Sequence, residues 1–194
     1  MELIFASNNK HKLKEMRSVI GDRCDIKTLE EASIDIDIPE PHDTLEKNAT
    51  EKSRTIYRLT GCNCFSEDTG LEVNALNGDP GVKSARYAGE KKSFDKNIAK
   101  ILDELKTKTD RSAQFRAVIS LMLDGEETLF EGVSKGVIIH EKKGDLGFGY
   151  DPVFLPDGSS KTFAEMKLDE KNKYSHRRKA VEKMVAFLSS KGIC

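Results

Sequence analysis

Apolar and polar positions along this chain switch between a helical and a strand-like period, and each switch marks an element. Leu3 to Ala6 is a short apolar run broken by Ser7-Asn8-Asn9, which predicts a buried strand ending in a polar turn. A helix follows, with Leu13, Met16, Val19 and Ile20 at helical spacing and Gly21 as its stop. Cys24 to Leu29 predicts a second strand, and Glu30 to Asp43 a loop, stiff and extended at Pro39-Glu40-Pro41. Asp43-Thr44-Leu45-Glu46 reads as a capping box with an acidic cap, opening a helix that runs to Thr60 and ends at Gly61.

Cys62, Cys64 and Phe65 then lead into Ser66-Glu67-Asp68-Thr69-Gly70, and strand-like alternation resumes at Leu71 and Val73. The pattern predicts a turn carrying Glu67 and Asp68 toward solvent at the end of an extended segment. Neighbouring carboxylates on a strand point to opposite faces, so at most one is expected to be buried. Asn74 to Gly81 is turn chemistry throughout. Ser93 is placed to cap a helix carrying Ile98, Ile101, Leu102 and Leu105. Phe115 to Leu123 and Leu129 to Ile139 predict two long strands joined at Asp124-Gly125. Alternation is weak from Val118 to Leu123, the mark of a central strand covered on both faces. Ser175 caps a last helix with Val181, Met184, Val185 and Leu188 on its apolar face.

Composition narrows the picture. A chain of 194 residues fits one domain, or two lobes sharing one sheet. With 32 basic against 33 acidic side chains the formal charge is −1, which argues against bulk nucleic-acid binding and leaves any basic cluster to act locally. No apolar run approaches the roughly 20 residues that span a bilayer, and Met1 to Ala6 is too short and acidic for a signal peptide. Cys24, Cys62, Cys64 and Cys194 lack zinc-like spacing; reduced thiols are expected, which suits a cytoplasmic protein.

Five stretches carry candidate chemistry. Ser7, Asn8, Asn9, Lys10, His11 and Lys12 form a strand–turn–helix opening that reads either as a phosphate cradle or as an N-cap followed by solvated lysines. Glu40, between two prolines, is either a fixed ligand or a loop acid. Glu67 and Asp68 form either an acidic turn or, with a cation between them, a Mg²⁺ site. In Gly144 to Pro152, glycines flank Phe148, which either offers its ring to a flat ligand or tucks into the core; Asp151, before Pro152, is expected to be extended and able to accept ring N–H groups. His176 and Arg177 fall in the first turn of the last helix, where cations oppose the dipole by about 0.3–1 kcal/mol each; they either meet an anionic or oxygen-rich partner or extend into water.

As an ordered set these stretches resemble the inosine triphosphate pyrophosphatase (Ham1-like) family. The matching segments are Ala6-Ser7-Asn8-Asn9-Lys10-His11-Lys12, Glu67-Asp68-Thr69-Gly70-Leu71, Gly78 to Tyr87, Gly147-Phe148-Gly149-Tyr150-Asp151-Pro152-Val153-Phe154 and Ser175-His176-Arg177. The resemblance implies an α/β fold with a long mixed central β-sheet flanked by helices, two lobes and a nucleotide cleft between them, in a single pyrophosphatase domain. It implies Mg²⁺ dependence, homodimers, and hydrolysis of non-standard purine nucleoside triphosphates (ITP, dITP, XTP) to the monophosphate and pyrophosphate.

By position, Ser7 to Lys12 would hold the triphosphate. Asp68 would act on water and metal, with Glu40 as a second metal ligand. Thr69 stands where many relatives have serine, and Phe148, Gly149, Tyr150, Asp151, Lys171, His176 and Arg177 would form the base and phosphate pocket. Donors from His176 and Arg177 would suit the carbonyl at C6 of hypoxanthine or xanthine. Lys47 and Glu67 depart from the usual acids at their positions, and Glu46 would compensate for Lys47 only if the helix turned it toward the cleft. Competing readings are a Maf-like pyrophosphatase for other triphosphates, a silent nucleotide-binding regulator, and a nucleic-acid module.

Overall fold

The computed structural model describes residues 1–193. Its strands are β1 (Glu2–Phe5), β2 (Asp25–Thr28), β3 (Cys64–Val73), β4 (Pro80–Gly81), β5 (Ser112–Leu123), β6 (Glu126–Ile138) and β7 (Phe154–Pro156). The helices are α1 (Lys10–Ile20), α2 (Leu45–Thr60), α3 (Phe94–Glu104), α4 (Leu168–Asn172) and α5 (His176–Ser190). The strands form one sheet in the order β2-β1-β3-β5-β6-β7, with β4 paired to β3. β1 runs parallel to β2 and β3, while β4 and β7 pair antiparallel, so the sheet is mixed as expected. Among the described residues no helix is long and apolar enough to cross a membrane.

Local chemistry sets most element ends. Asn9 caps α1 by accepting from the backbone N–H of His11 and Lys12, and Ser93 caps α3 through Lys96. At α2 the cap is Thr44, which accepts from Lys47 N–H, and not Asp43 as the acidic-box reading had it. The hydroxyl already sits one residue closer to the first turn. Asp124 and Gly125 both have positive φ, the backbone a two-residue hairpin turn requires. β5 begins earlier than its apolar run, at Ser112, because polar residues extend it: Asn74 donates to Ser112 and Gln114 to Glu72.

The chain folds into two compact units. One comprises Met1–Asp68, Ala117–Gly132 and the stretch from Arg177; the other comprises Thr69–Arg116 and Val133–His176. In the first unit the strands are covered on both faces. Leu3, Phe5 and Phe65 join Met16 and Ile20 of α1 and Ala180, Val181 and Met184 of α5 in one core. Ile4, Ala6 and Cys64 join Ile56 of α2 in another. Odd and even positions of β1 therefore serve opposite helical layers, and β3 follows suit. The second unit has a core of its own, built on Leu71, Val73, Ile98, Ile101, Phe115, Phe154 and Phe163.

Cysteine chemistry differs from expectation at one site. Cys62 and Cys64 are free thiols, but Cys24 is disulfide-bonded; the expectation for Cys194 lies outside the described residues. Burial pushes the Cys64 thiol up to about 12. Only thiolate reacts at an appreciable rate, so at pH 8 an aromatic disulfide reagent should label exposed Cys62 and spare Cys64 until the chain is unfolded. Peptide mapping that found Cys64 labelled at the same rate in the native protein would contradict this.

Candidate active site

Strand β3 passes straight through the acidic pair. Glu67 and Asp68 lie inside it, neither at its end nor in a turn, and both are buried, at 0% and 7% exposure. The expectation that at most one could be buried fails because each face of the strand supplies cations. Glu67 shares the odd face with Phe65 and meets α1 and α5. Its Oε2 lies 2.6 Å from Lys12 Nζ, and its Oε1 accepts from Arg177 Nη2 at 3.1 Å. Asp68 shares the even face with Cys64 and meets α2, where Lys52 Nζ donates to its Oδ1 at 3.1 Å. Both lysines also reach the Glu67 carbonyl, at 3.3 and 3.0 Å.

Lys52 has a second carboxylate. Its Nζ donates to Glu40 Oε1 at 2.7 Å, so one ammonium bridges Glu40 and Asp68. Burial alone would lower the lysine, but Asp68 and Glu40 outweigh it and hold the ammonium above the ordinary value. Asp68 is held above the ordinary carboxylate range, chiefly by burial; Lys52 and Lys12 pull the other way, and Glu40 and Glu67 add to the rise. A buried carboxyl with a raised proton affinity is the property wanted of a general base for water.

Arg177 completes the arrangement from the start of α5. Its guanidinium is 2% exposed and spans two acids, donating through Nη1 to Glu15 of α1 and through Nη2 to Glu67. The cation at the unfavourable helix end thus has an anionic partner, supplied by the protein's own chain. Glu15, Arg177, Glu67 and Lys12 form a continuous ion chain from α1 through α5 and β3 back to α1. Lys12 and Lys52 are therefore pinned by acids, while Lys10 and His11 stay at the surface. Ser7 Oγ accepts from Asn9 N–H, and Asn8 donates to the carbonyl of Ile36. This loop leaves β1 just after the Phe5–Phe65 register pair, at the carboxyl end of parallel strands, where open α/β sheets bind ligands.

The second unit gathers the other predicted residues. Asp151 Oδ2 accepts from Phe148 N–H at 2.9 Å and from Lys171 Nζ at 2.6 Å, with Asp151 and Lys171 both buried. Asp151 is not extended but opens a 3₁₀ turn, Asp151–Val153, and that turn brings its carboxylate back onto the Phe148 amide. Gly147 makes the return possible: a Cβ there would lie 2.0 Å from Asp151 Oδ2, and its φ is +74°. Tyr150 is buried and donates its hydroxyl to the Ser84 carbonyl. Phe148 is half-buried, with Lys171 Nζ 5.3 Å from its ring centre. His176 is buried with its ring stacked 4.8 Å from that of Phe115, and Thr69 and Gly149 are half-buried.

Sequence reasoning missed Lys52 and Glu15. Lys52 left a signal: it occupies the stripe Leu45, Ala49, Ile56 of α2, where a charge has no place unless it meets a partner. Glu15 left none, since it is three residues from Lys12 in a charged helix and looks like a solvated acid. Lys47, the worrying departure, is exposed beside Asp43 and takes no part; Glu46 is half-buried in the first turn of α2. Among the described residues no three His, Cys, Asp or Glu side chains are grouped to hold a metal. Mg²⁺ does not need such a cage, because it is commonly held by one or two carboxylates with waters and substrate phosphates. The hard-oxygen pair Glu40 and Asp68, both on Lys52, fits that requirement.

Relatives match over the full length. A dITP/XTP pyrophosphatase of Flavobacterium johnsoniae is 48% identical over 190 residues, spanning 98% of this chain and 99% of that protein. One from Porphyromonas gingivalis is 47% identical over 188 residues, spanning 96% and 97%. Among solved structures, the Staphylococcus aureus Ham1 protein aligns with a TM-score of 0.90 at 41% identity, covering 98% of this chain and 100% of that one. A HAM1 protein from Coxiella burnetii gives 0.90 at 38%, covering 98% and 99%. The model of the Ham1 family runs from residue 3 to residue 187, which bears out the resemblance seen in the motifs: the chain belongs to the Ham1 family.

Proposed function

We propose that this chain is a nucleoside triphosphate pyrophosphatase that hydrolyses ITP, dITP and XTP to the monophosphate and pyrophosphate, as a single pyrophosphatase domain. The observation that carries the reading is the buried Asp68 carboxyl beside two lysines, one of them shared with Glu40. Water attacks the α-phosphorus, the bond from that phosphorus to the oxygen bridging to the β-phosphorus breaks, and pyrophosphate leaves. Asp68 orients the water and takes its proton. Lys12 and Lys52, held by Glu67, Glu40 and Asp68 before substrate arrives, face the charge that builds on the leaving group without having to be reorganised. Glu40 and Asp68 would hold Mg²⁺, which when bound neutralises phosphate oxygens.

In the same reading Ser7 to Lys12, with Thr69, take the triphosphate, and Phe148, Gly149, Tyr150, Asp151 and Lys171 serve the base. The donor for a purine carbonyl at C6 falls to His176, because both terminal nitrogens of Arg177 already donate to acids. Arg177 then acts by holding Glu67, and through it Lys12. A homodimer and a cytoplasmic location belong to the same proposal. The test is pyrophosphate release with Mg²⁺ over ITP, XTP, GTP and ATP. Release from ITP and XTP far above ATP is expected, since a donor facing adenine's amine leaves a buried mismatch. ATP consumed as readily as ITP would end the donor argument, and no pyrophosphate from any of them would end the enzyme reading.

A further inference from the structure

Phe94 opens α3 and is 45% exposed, an unusual place for a large apolar side chain on a helix whose own apolar face is buried elsewhere. Ile98 and Ile101 are that buried face; neither Phe94 nor Phe148 belongs to the packed core of the second unit. The two instead lie against each other outside it, ring centres 6.3 Å apart and planes inclined at 49°. Both are held from behind. Ser93 caps the helix on which Phe94 sits, and Asp95 is tied to Lys142 at 2.6 Å. Phe148 is fixed by its amide on Asp151, with Lys171 Nζ lying over its ring.

Two inclined rings make a corner. A flat ligand stacked on one wall meets the other at the same inclination of 49°, a tilted aromatic contact. A fused two-ring base offers more stacking face to two such walls than a single ring does. We propose that Phe94 is a second aromatic contact for the base, and that with Phe148 it selects purines over pyrimidines by extent of stacking. This inference rests on the pyrophosphatase reading above and adds a specificity residue to it.

The test is steady-state hydrolysis of dITP and dUTP by the wild-type protein and by Phe94→Ala, Phe94→Leu, Phe94→Tyr and Phe148→Ala. Phe94→Ala should raise KM for dITP by about threefold to tenfold, the worth of one aromatic contact, with kcat within about twofold. Its preference for dITP over dUTP in kcat/KM should fall by the same factor. Phe94→Tyr should retain wild-type values, and Phe94→Leu should behave like Phe94→Ala, because leucine keeps the bulk and loses the ring. If Phe148→Ala raises KM while every Phe94 variant leaves KM and preference unmoved, Phe94 has no part in selection and the pyrophosphatase reading stands. If Phe148→Ala is equally silent, no base meets this corner, and the inference falls together with that part of the reading.

Discussion

Asp68→Asn lowers dITP turnover by about 10²-fold or more while the protein stays folded. The substitution is nearly isosteric, and the amide oxygen can still accept from Lys52, so the even-face packing against α2 survives. What is lost is the ability to take a proton from water. Charge balance argues in the same direction: Glu15, Glu40, Glu67 and Asp68 face Lys12, Lys52 and Arg177, so removing one acid leaves the remaining charges matched. Stability should therefore change little, which separates a chemical defect from a folding defect. Turnover measured beside a thermal unfolding curve checks both halves, and near-normal turnover would remove Asp68 from the chemistry.

How much of this was legible in the sequence depended on how local its cause was. The α2 helix, its stop at Gly61, the Ser93 cap and the Asp124-Gly125 hairpin are each decided within a few residues, and each formed where the pattern put it. The central, doubly covered character of β5 was legible too, since a strand with no polar face must be covered twice. The acidic pair was not. Glu67 and Asp68 look like a turn because two adjacent carboxylates alone would not be buried. They stay inside β3 only because Lys12, Lys52 and Arg177 arrive from 55, 16 and 110 positions away. Asp151 was misread for a similar reason: its proline neighbour argued for extension, while the decisive contacts, the Phe148 amide and Lys171, come from the fold of the loop and from α4. The motifs thus picked out the candidate residues, and the partners that set their charge were hidden in ordinary helix positions.

Arg177→Met should be the most damaging single change to stability, costing roughly 3–5 kcal/mol, the range found when one member of a buried ion pair is removed. Arg177 is 2% exposed, Glu67 fully buried and Glu15 nearly so, so water cannot replace the guanidinium. The two acids are not left equal. Glu67 keeps Lys12 at 2.6 Å, whereas Glu15 loses the charge it shares with α5. The larger share of the loss should therefore sit on Glu15, and Glu15→Gln in the Arg177→Met background should recover part of it, although Glu15→Gln in the parent should destabilise. Arg177→Lys keeps the charge but has no planar fork to span two carboxylates, so it should fall between the parent and Arg177→Met. Urea unfolding of the four variants gives the cycle directly. A loss below about 1 kcal/mol for Arg177→Met, the scale of a surface pair, would mean that the ion chain from α1 to β3 does not hold these elements together.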